Sequence, residues 1–350
     1  MPHFHKEPFG AAPNGTPIDL FILDNGRGVE ARITNFGGII VSLFAPDRHG
    51  RRRDILVGFA DARGFARNKP YFGALVGRYA NRIAKARFVL DGRSYHLAAN
   101  DGDNHLHGGV LGFDRVVWKP RPVEEDEPGL ELSYRSKDGE EGYPGNLDVT
   151  VVYTLTPAGQ LQIRYEAVTD QPTPVNLTSH AYFNLGDSPD ILGHEIRLNA
   201  GFFLPVDAGL IPTGELRSVD GTPFDFRAPA SIGGRLTADD EQLRLARGID
   251  HTFVIDKREG ELATAAEVYD RASGRAMRVR TTEPGIQVYT GNFLDGTIVG
   301  KGGRAYGPRA AICLEAQHFP DSPNQPQFPS AILRPGEVYR QTTVYELTAT

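Results

Sequence analysis

A single cysteine, Cys313, stands among 350 residues, which excludes a disulfide framework and any multi-cysteine metal site. Positive charge is not in surplus either. Thirty-eight Lys and Arg against 44 Asp and Glu leave a net charge of −6, where a nucleic-acid binder would carry a basic face or domain. The one basic run, Arg51-Arg52-Arg53, lies beside Asp47-Arg48-His49-Gly50 and reads as a solvated hairpin tip. No apolar stretch approaches the ~20 residues that cross a bilayer. The opening residues, Met1 to Glu7, lack the apolar core of a secretory signal. A soluble, cytoplasmic protein without nucleic-acid or membrane partners is the expectation. Also missing are a Gly-rich strand–turn–helix nucleotide fingerprint, a P-loop and a G-x-S-x-G elbow. Hydride, phosphoryl and acyl-serine chemistry therefore have no visible apparatus.

Glycine and proline are abundant instead. Forty glycines and 25 prolines make up about 19% of the chain, against a background near 12% and a low-complexity range of roughly 25–30%. They punctuate short β-type runs. Residues 39–44 lead into Asp47-Arg48-His49-Gly50, and 54–57 follow. Residues 87–90 and 94–97 flank Asp91-Gly92, a pair suited to the positive φ angles of a type I′ turn. Residues 149–155 and 161–167 flank Thr156-Pro157-Ala158-Gly159-Gln160, and 267–269 and 277–279 flank Ala272-Ser273-Gly274-Arg275. Turns this frequent predict an all-β sandwich or barrel rather than βαβ units. The best helix candidate is short: Thr237 caps 238–246, which Gly248 ends. With no linker and no repeat, residues 1–350 read as one domain.

Some β-type runs carry chemistry. Residues 175–185 alternate, with Asn176, Thr178, His180, Tyr182 and Asn184 on the even positions and mostly apolar residues on the odd. Successive strand side chains point to opposite faces. One face would enter a core while the other offers neutral hydrogen-bonding groups to a hydroxyl-rich ligand; the bland alternative is a buried polar network. In the nearly apolar run 310–317, Glu315 shares a face with Cys313 and Gln317. A carboxylate there needs a partner or a purpose, because burying an unpaired charge is costly; the alternative is a structural ion pair. Gln287 and Tyr289 share one face of 286–290. The loop Asn104-His105-Leu106-His107-Gly108-Gly109 holds two histidines, with glycines that would let a ligand approach the backbone. A metal on that His-x-His pair is the weaker reading.

Read together, these residues resemble the aldose 1-epimerase, or galactose mutarotase, family. The resemblance rests on Gly77-Arg78-Tyr79-Ala80-Asn81-Arg82-Ile83, Leu106-His107-Gly108-Gly109, Asn176-Leu177-Thr178-Ser179-His180-Ala181-Tyr182-Phe183-Asn184-Leu185, Gly248-Ile249-Asp250-His251, Gln287-Val288-Tyr289-Thr290-Gly291-Asn292-Phe293-Leu294 and Leu314-Glu315-Ala316-Gln317, in family order over nearly the whole chain. It implies a large antiparallel β-sandwich, the galactose mutarotase-like supersandwich, with at most short helices. It implies anomer interconversion of free aldohexoses such as glucose and galactose, with His180 as general acid and Glu315 as general base. By the same resemblance Asn81, Arg82, His107, Tyr182, Asp250 and Gln287 contact the sugar. No cofactor and no metal are implied, the partner is a small aldose, and the protein is a monomer or homodimer. Ala181 departs from the Ser of many relatives, but strand parity turns it away from His180. Two rivals stand beside this reading: a non-catalytic sugar-binding module of the same fold, and a hexose 6-phosphate epimerase.

Overall fold

The computed structural model describes residues 3–67, 69–124 and 127–350; Met1 and Pro2 of the opening stretch lie outside them. Strand pairing is antiparallel throughout three main sheets. A nine-stranded sheet runs in the order Lys119–Glu124, Pro128–Ser136, Leu147–Leu155, Gln160–Thr169, Tyr339–Ala349, Arg275–Thr281, Ala263–Tyr269, Glu195–Leu198, Ala230–Ser231. A six-stranded sheet runs Tyr182–Phe183, Ile312–Gln317, Gly285–Tyr289, Asp250–Val254, Phe202–Phe203, Arg217–Ser218. Five strands from His3–Ala11 to Arg52–Asp54 form a third sheet in chain order. This is a large β-sandwich, and the α-helices among the described residues have at most five residues.

Side-chain period explains which faces meet. Leu147, Val149, Val151, Tyr153 and Leu155 are buried along one strand, as are Leu161, Ile163, Tyr165 and Ala167 on its neighbour. Their faces meet the inner face of the six-stranded sheet, where Ile286, Val288, Ile312 and Leu314 join the same core. Phe183 packs on Tyr345 across the layers, ring centroids 5.0 Å apart. Each such aliphatic or aromatic side chain contributes roughly 1.5–3 kcal/mol when fully buried. Gly285–Tyr289 and Ile312–Gln317, two interior strands of the six-stranded sheet, are buried on both faces. Core covers one side, and a cleft with its rim covers the other.

Turn chemistry sets the hairpins as expected. Leu90 pairs with Arg93, and Asp91 and Gly92 take φ of 50° and 78°, the positive values a two-residue I′ loop requires. Two local expectations need correction. Thr237 is not the cap of the later helix; it closes the helix Ile232–Leu236. Asp240 caps Glu241–Leu245 instead, accepting from the Gln242 and Leu243 amides. Asp at that position offers a carboxylate to two unsatisfied amides, a stronger cap than a threonine three residues too early.

The alternating run 175–185 is likewise not one strand. It holds two short strands, Thr178–Ser179 and Tyr182–Phe183, which pair with two different partners. Asn176 donates to the carbonyls of Ala80 and His318, Thr178 to Ala316, and Asn184 to Ser188 and Ala310. These three polar residues hold segments together, and only His180 and Tyr182 of the even row reach the cleft.

Arg78 is a structural cross-link as well. Buried, it donates to Ser136 and to the carbonyls of Pro144, Gly145 and Lys137. Backbone acceptors satisfy its fork, so of the two arginines in the motif 77–83 only Arg82 faces the cleft.

Candidate active site

The cleft, about 970 Å³, opens over the outer face of the six-stranded sheet. Strand register places its reactive groups. Tyr182 pairs with Cys313 and Phe183 with Ile312; just before that strand, the backbone of His180 is held by Gly73 and Ala74. His180 Nε2 lies 3.6 Å from Glu315 Oε1. On the other side Gln287 pairs with Glu315, and Asp250 pairs with Tyr289. Sequence separation of 135 residues thus collapses into one pair of neighbouring side chains.

Seven of the expected residues line this cleft: Asn81, Arg82, His107, His180, Tyr182, Asp250 and Glu315. Gln287 does not. It accepts from the Thr252 hydroxyl at 2.5 Å and donates to Asp250 Oδ1 at 2.7 Å. It sits a layer back and orients Asp250. Tyr182 presents its ring, stacked on His180 at 5.0 Å; its hydroxyl is committed to the Pro70 carbonyl at 3.0 Å. Arg82 is paired through Nε with Asp101 Oδ2 at 2.8 Å.

Asn81 and His107 lock each other. The Asn81 amide donates to His107 Nδ1 (3.2 Å) and the His107 amide donates to the Asn81 carbonyl (3.0 Å). Both residues have left-handed backbones, with φ of 61° and 53°, as does Tyr71 at 62°. Such conformations cost of order 1–3 kcal/mol each and cluster where surroundings over-determine them. The glycines after His107 do a different job from the one expected. A side chain on Gly108 would collide with the Gly77 carbonyl, and one on Gly109 with the Glu141 carboxylate. They admit protein rather than ligand. His105 is occupied elsewhere, between the Ala98 carbonyl (2.8 Å) and the Tyr143 hydroxyl (2.7 Å).

Burial shapes the charges. His180 is held down at about 4 by desolvation. Desolvation pushes Glu315 well above the usual carboxylate range; the Asp250 charge adds to this and Arg82 opposes it. Asp250 is raised by burial too, again against Arg82. Glu315 Oε2 is buried and has no hydrogen-bond partner among the described residues, so no protein group satisfies it. His180 Nδ1 rests 3.5 Å from the Cys313 sulfur, so its Nε2 is the nitrogen presented to the cleft. A carboxyl and an imidazole this close, both buried and each shifted toward its neutral form, hold one proton between them, and at rest burial places it on Glu315.

His107, His180 and Glu315 each turn one ligand-capable atom inward, all within 4.8 Å of one another. The trio does not suit a metal ion. His107 Nδ1 is an acceptor, so the neutral ring carries its proton on Nε2. A metal-bound imidazole ordinarily ligates through one nitrogen and donates from the other. His107 is arranged the opposite way, as a donor aimed into the cleft.

The sequence profile described as aldose 1-epimerase matches residues 19–346. The chain belongs to the aldose 1-epimerase family. It is accordingly an isomerase. Family members similar to it include the galactose mutarotase of Bos taurus, 48% identical over 343 residues and 97% of each chain. The aldose 1-epimerase of Escherichia coli K12 is 39% identical over 341 residues, again 97% of each. Among solved structures, an aldose epimerase homologue from C. elegans superimposes with a TM-score of 0.86 at 31% identity, covering 100% of both chains.

Several groups at this site escape a reading of the sequence. Tyr71 lies in a loop, so no periodicity marks it, and its ring reaches His107 at 4.6 Å and His180 at 6.0 Å. Asp101, which pairs with Arg82, is one of two turn aspartates in Asn100-Asp101-Gly102-Asp103. Cys313 was visible only as a neighbour of Glu315 by strand parity.

Proposed function

We propose that this cleft interconverts the α- and β-anomers of free aldohexoses such as glucose and galactose, with Glu315 as general base and His180 as general acid. The 3.6 Å His180–Glu315 pair carries this reading. Ring opening of a cyclic hemiacetal moves two protons. The O1 hydroxyl gives its proton to Glu315 as C1=O1 forms. Nε2–H of His180 protonates O5 as the C1–O5 bond breaks. Rotation about C1–C2 then presents the other aldehyde face. O5 attacks it, returns its proton to His180, and O1 recovers the proton from Glu315.

Burial favours protonated Glu315 and neutral His180 at rest, so the cycle begins once bound sugar draws the proton from Glu315 to His180. A sugar favours the ion-pair isomer, carboxylate and imidazolium, because its O1 hydroxyl donates to one and its O5 accepts from the other. Ring opening turns that ion pair into a neutral acid and a neutral imidazole. Burial favours both neutral forms, so the dry site assists the transfer. The step needs no cofactor. Asp250 and Arg82 hold hydroxyls at the far end, and His107 donates from Nε2. Five carboxylates and four cations line the cleft, a balance suited to a neutral sugar. Cleft residues drawn from Tyr71 through Glu315 support reading residues 1–350 as one domain. Among the described residues no helix is long and apolar enough to cross a membrane.

Two outcomes follow at once. Catalysis needs one proton on the pair, so kcat/KM falls when His180 gains a second proton and again when Glu315 loses its own. With His180 at about 4 rather than its ordinary 6.5, kcat/KM is expected to stay level through pH 6.5 and to fall only toward pH 4. Polarimetry, with the spontaneous rate subtracted, reads this profile; an inflection near 6.5 would contradict it. Activity is also expected to survive EDTA and exhaustive dialysis, because His107 is set as a donor. Loss restored by a divalent ion would reverse that assignment.

A further inference from the structure

We propose that Tyr71 is a specificity-determining residue whose hydroxyl binds the hydroxymethyl group on C5 of the sugar. The inference rests on the assignment of His180 to O5 and Glu315 to O1. In a pyranose, C1 carries both of those oxygens, C2 lies beyond C1, and C5 with its C6 substituent lies beyond O5. The side of His180 away from Glu315 therefore faces C5 and C6. Three rings surround His180, those of Tyr182, His107 and Tyr71, with centroids 5.0, 5.1 and 6.0 Å from its own; His107 also turns a ring nitrogen to within 4.8 Å of Glu315, which leaves Tyr182 and Tyr71 as the rings for the C5–C6 side.

Their polar atoms are not equally available. The Tyr182 hydroxyl donates to the Pro70 carbonyl. His107 Nδ1 accepts from Asn81, which leaves one N–H. Tyr71 lines the cleft, and its hydroxyl has no hydrogen-bond partner among the described residues. Desolvation pushes it up to about 12, so it stays a neutral phenol able to donate and accept. A primary alcohol, itself donor and acceptor, is its natural complement.

The backbone holds Tyr71 in place against its own preference. At φ 62° it occupies a left-handed conformation that a bulky residue adopts only when tethered. The tethers come chiefly from the segment that carries His180 and Tyr182. The Gly73 amide donates to the His180 carbonyl at 2.9 Å, the Ala74 amide donates to the Tyr71 carbonyl at 3.0 Å, and Tyr182 reaches Pro70. Tyr71 therefore moves with His180, which fixes the distance from the proton donor to the C6 contact.

The test is a cycle that removes the two hydroxyls separately and together. Wild type and Tyr71→Phe are assayed by polarimetry on D-galactose and on 6-deoxy-D-galactose, which lacks only O6. A neutral hydrogen bond is worth roughly 3–10-fold, so wild type is expected to lose that factor in kcat/KM on the deoxy sugar. Tyr71→Phe loses the same factor on galactose and shows no further drop on the deoxy sugar. Independent losses that multiply, or no loss on galactose, would overturn the proposal. A wild type that accelerates neither sugar would instead overturn the parent reading.

Discussion

Glu315→Gln is expected to lower kcat by roughly 10²–10⁴-fold, the usual range for removing a general acid–base group, with KM nearly unchanged. Gln keeps the shape and one acceptor oxygen but cannot take the O1 proton. The fold should tolerate the change. Glu315 Oε2 has no partner among the described residues, and a carboxyl whose proton affinity is raised by burial costs folding stability at neutral pH that an amide does not. The thermal midpoint of the variant is therefore expected to equal or exceed that of wild type. A variant with near-normal polarimetric rates would remove Glu315 from the chemistry. One that fails to fold would mean that its charge is structural.

His180→Asn is expected to cost a similar factor, again roughly 10²–10⁴-fold in kcat. Asn retains a donor near O5 but has no proton to give. Its residual activity should also lose the fall toward pH 4, because the group responsible, held down at about 4 by burial, is gone. Persistence of that acid limb in His180→Asn would assign it to another group, with His107 next in line since burial also holds it well below the ordinary value.

The fold was legible because turns are local chemistry. Asp91-Gly92 demanded positive φ and received it; Ser273-Gly274 and Pro157-Ala158-Gly159 fell between paired strands. What failed was inference from parity over a long run. The alternation in 175–185 looked like one ligand-binding face, yet Asn176, Thr178 and Asn184 serve backbone carbonyls of separate segments. Parity records which side a residue takes only while the strand remains unbroken. Thr237 and Asp240 show the same limit for caps: both are good capping residues, and Thr237 is already used to close the preceding helix.

The site was legible where a residue type conflicted with its surroundings. A carboxylate in an apolar strand and an imidazole among neutral polar groups both marked side chains that the fold brings 3.6 Å apart in the cleft. Gln287 looked equivalent to them on strand parity, but the side chains of Asp250 and Thr252 absorb both ends of its amide. Tyr71 carried no such conflict. A tyrosine after a proline in a loop is ordinary, and its importance arises from tethers to residues more than 100 positions away.

The account rests on His180 and Glu315 acting as one proton-transferring pair. Anomer exchange of D-galactose, followed by polarimetry for wild type, His180→Asn, Glu315→Gln and the double variant, tests that most directly. Residues that act as a unit give strongly non-additive losses. The double variant is expected to be no slower, within a few-fold, than the slower single variant. Losses that multiply, or a single variant running at the wild-type rate, would contradict the pair.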